Sequence, residues 1–274
     1  MDLSLTEIAN EEATDKGTLG PTPNWQCHNY TDIYEAYLRP FRNKKINLLE
    51  VGLGVRGPYC DIGIAQGRNM EGGASMKMWY RYFKEAKLWG IDINPAEFLD
   101  NDRITTARVD QGDPEQLELF LSQSGVEKFD VIIDDGSHWP HHQQITLGVL
   151  FPRLAEGGLY IIEDLLANGK DDPKTDPSVS VLNTRKVLRS LLTNGEFASP
   201  HALIDTPYLK ENIESTVFHC PNCDIQWKSK SKMLKGFIRR FFGISAIPDK
   251  AITTYLNNTE NMCVIRKKIN SHAN

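Results

Sequence analysis

The sequence contains no apolar run that approaches the roughly 20 residues needed to span a bilayer. It also lacks an excess of positive charge, because 31 Lys and Arg stand against 36 Asp and Glu, for a formal net charge of −5. A surface that binds nucleic acid is typically basic. We therefore expect neither a membrane span nor a nucleic-acid partner.

Cysteine is scarce, with five in 274 residues, and the first residues are polar and acidic instead of apolar like a secretory signal. These features predict a cytoplasmic protein with reduced thiols. Cys220 and Cys223 form a CxxC pair, but a zinc site needs a second pair of ligands at suitable spacing, and none follows. The pair favours a turn around Pro221-Asn222; an intersubunit or redox role is the alternative.

What the sequence does contain is an alternation of apolar runs and helical patterns. Five runs predict buried strands at 46–51, 88–93, 104–109, 129–134 and 159–162. Helical spacing predicts helices at 30–40, 74–87, 114–124, 141–154 and 181–194, with Glu156-Gly157-Gly158 ending the fourth. Such repetition predicts an α/β, doubly wound, mostly parallel sheet with helices on both faces.

The two ends of the chain differ from this central pattern. Residues 1–40 are predicted to form a polar arm and a helix that cover a ligand, beside a main domain over 41–274. Residues 167–180 have no periodicity and predict a lid loop. The divergent C-terminal region has strand-like segments at 215–219 and 261–266. Its basic stretch, 228–240, favours packing on the domain or another subunit over a membrane or anionic substrate.

A glycine turn, Gly52-Leu53-Gly54, follows the first predicted strand. Such a turn lets backbone N–H groups approach a ligand, although it is also found as a plain strand-to-helix turn. Asp92 ends the second predicted strand, where an acid can bind ribose hydroxyls. No helix is predicted directly after the glycines, so a pyrophosphate resting on a helix N-terminus is disfavoured. The pattern indicates an adenosine-type cofactor other than NAD.

Longer motifs resemble one enzyme family. Leu49 to Gly54, Gly72 to Trp79 and Gly90-Ile91-Asp92 are similar to the Mg-dependent sugar O-methyltransferases of macrolide biosynthesis, the macrocin and mycinamicin type, close to the cephalosporin-hydroxylase-like group. Thr14-Asp15-Lys16-Gly17 and His28-x-Tyr30 resemble that family's N-terminal segment. The similarity runs from about residue 14 to 166. It implies a Rossmann-like class I methyltransferase fold and S-adenosylmethionine as the cofactor.

Acidic residues follow the fourth and fifth predicted strands, at Asp134-Asp135 and Glu163-Asp164. If these strands are neighbours, about 4.8 Å apart, three carboxylates converge and repel one another. A hard divalent cation such as Mg²⁺ or Mn²⁺ relieves this repulsion and accepts oxygen ligands. We therefore expect a metal at Asp135, Glu163 and Asp164, the residues that also match the family's ligands.

The resemblance assigns further roles. His138 matches the family's proposed general base, and Asp135 would assist catalysis through the metal. Cofactor contacts are implied at Lys16, Tyr30, Glu50, Gly52, Gly54, Ser75, Asp92, Asp110, Gln111 and Asp134. The implied reaction is methyl transfer to a hydroxyl of a sugar or polyol, as part of a natural-product glycoside or a glycan. The partners would be a small hydroxylated acceptor and, because the family often forms oligomers, another copy of the chain.

Other interpretations remain open at this stage. Asp135 also suits a helix N-cap, Glu163-Asp164 a solvated strand end, and His138 a surface histidine. His141 and His142 favour helix surface or packing over metal ligation. For the whole chain, the alternatives are a metal-independent N-methyltransferase and a non-catalytic subunit that binds S-adenosylmethionine. A nicotinamide oxidoreductase is more distant.

Overall fold

The computed structural model describes residues 2–19, 27–59, 71–165, 183–195, 205–221 and 260–270. The strands are β1 (Asn47–Val51), β2 (Lys87–Asp92), β3 (Ile104–Arg108), β4 (Phe129–Asp134), β5 (Leu154–Ile162), β6 (Ile213–His219) and β7 (Met262–Lys267). The helices are α1 (Leu5–Glu11), α2 (Thr31–Leu38), α3 (Ala74–Tyr82), α4 (Pro114–Ser124), α5 (Pro140–Leu150), α6 (Thr184–Asn194) and α7 (Thr206–Asn212).

One seven-stranded sheet has the order β3-β2-β1-β4-β5-β7-β6. Strands β1 to β5 pair in parallel, and β7 runs antiparallel to both β5 and β6. The predicted mostly parallel, doubly wound sheet is therefore confirmed. The strand order reverses between β1 and β4, and ligands of such sheets bind outside the carboxyl ends of the strands at this point.

Successive residues of the central strands point to opposite faces of the sheet, and each face has its own core. Leu48 and Ile133 pack in the core that includes α1, α2 and α3. Leu49 and Ile132 pack in the core that includes α4, α5 and α6. Burial on both faces explains why the parallel strands read as continuous apolar runs in the sequence.

The N-terminal segment is better packed than the predicted polar arm. Helix α1 buries Leu5 and Ile8 in the first core, with 0% and 2% of each residue exposed. It begins with a capping box, in which the Ser4 hydroxyl accepts from the Glu7 N–H and the Glu7 carboxylate accepts from the Ser4 N–H. The Ser-x-x-Glu spacing is a sequence signal for this helix, so residues 5–11 were predictable as part of the fold.

The predicted end of the fourth helix was wrong. Helix α5 ends at Leu150, Phe151–Arg153 form a 3₁₀ turn, and β5 begins at Leu154. Pro152 explains the early end, because proline has no N–H to continue the helical hydrogen bonds and its ring clashes with the carbonyl group four residues before it. Glu156-Gly157-Gly158 consequently lies within β5.

The C-terminal strand predictions are confirmed by β6 and β7, whose bounds differ from the expected ones by one or two residues. The predicted lid at 167–180, the basic stretch at 228–240 and Cys223 lie outside the described residues. Among the residues that are described, none of the helices is both long and apolar enough to cross a membrane.

Candidate active site

A cavity of about 370 Å³ lies at the carboxyl ends of β1, β2 and β4. Ten of the residues expected to form the site line it, namely Lys16, Gly52, Gly54, Ser75, Asp92, Asp110, Gln111, Asp135, His138 and Asp164. Four others, Tyr30, Glu50, Asp134 and Glu163, are not part of the lining and are at most 1% exposed. The expected residues thus form two layers, one at the cavity and one behind it.

The glycine turn after β1 brings two backbone segments into close approach. Gly52 has φ +84°, and a Cβ there would overlap the backbone of Asp135 and Gly136. The Gly52 N–H donates to the Ile91 carbonyl at 2.8 Å. Glycine is required because only a residue without a side chain fits between the turns that follow β1 and β4.

Asp92 at the end of β2 organises the same turn. One carboxylate oxygen accepts the Leu53 N–H at 2.8 Å, and the other accepts the Asn94 N–H at 2.8 Å. Burial raises the pKa of Asp92, and these backbone N–H groups oppose the increase. Asp92 therefore lines the cavity while it fixes the backbone beside it, a position suited to a ribose.

Lys16 lies among acids from three strand ends. Its ammonium group donates to Asp135 and to Glu163, the latter at 2.7 Å, and lies 3.7 Å from Glu50. Lys16 is 1% exposed. Burial acts to lower the pKa of Lys16, but the three carboxylates outweigh it and hold the pKa well above 10.5. Lys16 is accordingly charged and links the N-terminal segment to the sheet.

The buried acids are costly to ionise. Burial raises the pKa of Glu50 to about 7, although Lys16 and the Ser75 hydroxyl, which donates to Glu50 at 2.9 Å, act in the opposite direction. Burial likewise raises the pKa of Asp134 to about 6. Desolvation favours the neutral form of a carboxyl group. A cation added at this end of the sheet would therefore stabilise the ionised carboxylates.

Three groups could hold a metal ion. Asp135, His138 and Asp164 each offer one ligand atom, and these atoms lie within 4.8 Å of one another. Glu163 has one oxygen bound by Lys16 and the Tyr34 hydroxyl, whereas its buried Oε2 has no hydrogen-bond partner among the described residues. The carboxylate oxygens of this group fit Mg²⁺ or Mn²⁺, whereas an imidazole is not a typical ligand of Mg²⁺.

Backbone strain concentrates around the cavity. Among the described residues, four that are not glycine have positive φ, and they are Ala13, Asn29, His138 and Asp164. Three of them line the cavity, and Asn29 follows His28, which also lines it. Such conformations cost of order 1–3 kcal/mol each and cluster at functional sites, where the surrounding structure holds them.

Other cavity residues were not expected from the sequence. Trp139 stacks at a tilt on His142, with ring centroids 5.2 Å apart, and both line the cavity. The expectation that His142 belongs to helix packing is therefore incomplete. Asn261 and Tyr34, which hydrogen-bond the acids from behind, were also missed. Tyr34 shares the helical spacing of Tyr30 and Tyr37, but Asn261 has no sequence signal.

Solved structures share this architecture. The chain superposes on the MycE methyltransferase from the mycinamycin biosynthetic pathway, in complex with Mg, SAH and mycinamycin VI, with a TM-score of 0.61 at 24% identity, covering 100% of this chain and 57% of that one. A second crystal form with Mg and SAH gives a TM-score of 0.62 at 25% identity, over 99% of this chain and 55% of that one.

The fold is that of a Rossmann-like methyltransferase.

Curated relatives confirm the resemblance found in the motifs. The chain is 36% identical over 164 residues to 8-demethyl-8-alpha-L-rhamnosyl tetracenomycin-C 2'-O-methyltransferase of Streptomyces olivaceus, covering 58% of this chain and 40% of the relative. It is 34% identical over 178 residues to demethylmacrocin O-methyltransferase of Streptomyces fradiae, covering 62% of this chain and 41% of the relative. The matches thus span less than half the length of these relatives. No family model matches the chain.

The contacts of Lys16 predict a large contribution to the stability of this methyltransferase fold. Replacing it by Met leaves buried acids without their cation, so Lys16→Met is expected to lower the free energy of unfolding by about 3–5 kcal/mol. Urea unfolding followed by circular dichroism measures the change. Lys45→Met, at an exposed position, is the matched control and should change stability by about 0.5 kcal/mol at most. Equal stability of the two variants would contradict the role of Lys16.

Proposed function

We propose that the chain is an S-adenosylmethionine-dependent and divalent-metal-dependent O-methyltransferase that acts on a hydroxyl of a sugar or polyol. The convergence of Asp135, His138 and Asp164 at the cavity that the glycine turn lines is the observation that carries this proposal. A metal-independent enzyme has no need of this group of acids beside its cofactor. The names of the relatives support the same reaction class.

The cofactor would occupy the part of the cavity between Gly52, Asp92 and Gln111. The glycine turn lines this part of the cavity, and the Asp92 carboxylate would accept from ribose hydroxyls. Asp110 and Gln111 would lie at the adenine. A cavity of about 370 Å³ lies within the usual range of roughly 300–1,000 Å³ for small-molecule sites.

The reaction breaks a sulfur–carbon bond and forms an oxygen–carbon bond, while the acceptor hydroxyl loses its proton. S-adenosylmethionine would supply the electrophilic methyl group, and Asp135, Glu163 and Asp164 would hold a divalent cation whose charge would lower the pKa of the acceptor hydroxyl. His138, whose Nε2 lies 3.6 Å from Oδ2 of Asp164, would receive the proton. The cavity walls hold the donor and acceptor in line.

Metal dependence is the first expected outcome. With S-adenosylmethionine, Mg²⁺ and a glycosylated acceptor, the purified protein should release S-adenosylhomocysteine, and EDTA should abolish this activity because the acceptor loses its activating cation. Demethylmacrocin and 8-demethyl-8-alpha-L-rhamnosyl tetracenomycin C, taken from the relatives' names, are suitable first acceptors. Asp135→Ala should behave as the EDTA-treated enzyme does. Undiminished turnover in EDTA would exclude the metal from the reaction.

The proton acceptor can be tested separately. His138→Ala should lower kcat by about 10²–10⁴-fold, because general-base assistance typically contributes this much. The affinity for S-adenosylhomocysteine, measured by calorimetry, should change little, since the imidazole contacts the acceptor side of the reaction. A variant with normal kcat would remove His138 from the mechanism, and one with equally weakened cofactor binding would make it a cofactor-site residue.

The assembly and location of the chain remain proposals. We expect a cytoplasmic homo-oligomer whose partner surfaces include the C-terminal region, as the basic, amphipathic stretch 228–240 suggests. Light scattering coupled to size-exclusion chromatography measures the mass of the particle. A mass of 31.0 kDa, that of one chain, would refute the oligomer.

A further inference from the structure

The two carboxylate oxygens of Asp164 have different surroundings. Oδ1 accepts from the Tyr30 hydroxyl at 2.6 Å and from the Asn261 side-chain amide at 2.7 Å. His28 Nδ1 is also 3.5 Å from Oδ1. Oδ2 instead faces His138 Nε2 at 3.6 Å. The donors from behind therefore occupy one oxygen and leave the other on the side of His138.

Asn261 holds the backbone at Asp164 as well as its carboxylate. It lies just before β7, its N–H donates to the His219 carbonyl at 3.0 Å, and its carbonyl accepts the Leu165 N–H at 3.0 Å. Its side-chain amide also contacts the Tyr30 hydroxyl at 2.5 Å. Asn261 thus holds both the backbone of Leu165, which follows Asp164, and one of the two carboxylate oxygens of Asp164.

This restraint acts on a strained residue. Asp164 has φ +52°, in the left-handed region that residues other than glycine adopt at a cost, and it is 8% exposed. Without its hydrogen bonds, the carboxylate could rotate and the turn after β5 could relax. Tyr30 and Asn261 are uncharged, so they orient Asp164 without cancelling the negative charge that a cation requires.

We propose that Asn261, together with Tyr30, is a positioning residue that presents Oδ2 of Asp164 to the metal ion. This inference rests on the proposed metal-dependent function and adds two residues to it. Neither residue touches the metal; each acts by fixing a ligand before the ion arrives. Partners of metal ligands typically contribute 10–100-fold to metal affinity or activity. Through Asn261, the proposal also connects β7 to the metal site. This strand lies in the region where the sequence resemblance has faded.

The experiment measures Mn²⁺ binding to the full chain by calorimetry, without cofactor or acceptor. Asn261→Ala removes the side-chain amide and keeps the backbone hydrogen bonds, and it should raise the Kd for Mn²⁺ by about 10–100-fold. Tyr30→Phe removes only one hydroxyl, so it should raise the Kd in the same direction and serves as the second variant if Asn261→Ala does not fold. For Asn261→Ala, the affinity for S-adenosylhomocysteine without metal should stay within about threefold.

Asn270→Ala is the matched control. Asn270 follows the other end of β7, and its amide donates to Glu156 at 3.2 Å, far from the cavity. The Asn270→Ala variant should bind Mn²⁺ with the Kd of the wild type. If both Asn261→Ala and Tyr30→Phe also bind Mn²⁺ with wild-type Kd, the positioning role is wrong while the proposed function stands. If the wild type binds no Mn²⁺, both are overturned.

Discussion

The carboxyl end of the sheet depends on the contact between Lys16 and the acids that follow β1, β4 and β5. Burying several carboxylates together is unfavourable unless a cation compensates them, and Lys16 supplies that cation from the N-terminal segment. Lys16 lies in the chain between α1 and α2, whose buried residues pack in the same core as those of β1 and β4, so this segment brings the cation to the acids. The N-terminal segment therefore forms part of the cavity wall, through Lys16 among others.

Parallel strands explain why the acids converge. The register of β4 with β5 pairs Asp134 with Ile162, so the residues that follow each strand emerge side by side. Gly52 then lets the turn after β1 press against the turn after β4, which brings the cofactor loop and Asp135 to the same wall of the cavity. The sheet thereby places the proposed cofactor loop next to Asp135, the proposed metal ligand.

Sequence patterns predicted the structural features that depend on residues close together in the chain. The strands, the glycine turn and the acids after β4 and β5 follow from local periodicity and motif. The expected metal ligands were Asp135, Glu163 and Asp164, whereas the ligand atoms that the structure brings within 4.8 Å of one another belong to Asp135, His138 and Asp164. The contacts of Lys16, Tyr34 and Asn261 with the acids did not follow, because these residues reach the acids from positions 97–147 residues away in the chain. Lys16 itself was expected at the site, but as a cofactor contact. Nothing local distinguishes Asn261 from a surface asparagine, and only the pairing of β7 with β5 brings it to Asp164.

Charge explains why the groups that contact the acids include a cation, Lys16, and neutral donors. Lys16 offsets part of the repulsion among Glu50, Asp135 and Glu163, which stabilises the protein before a metal binds. A second buried cation at Asp164 would neutralise the site further and compete with a divalent ion. Burial acts to raise the pKa of Asp164, but His28 and His138, and then the hydrogen bonds from Tyr30 and Asn261, lower it. Tyr30 and Asn261 orient the carboxylate without adding a second fixed charge. The charged donor Lys16 and the neutral donors Tyr30 and Asn261 therefore stabilise the acids around the cavity. They leave enough negative charge there to attract a divalent cation.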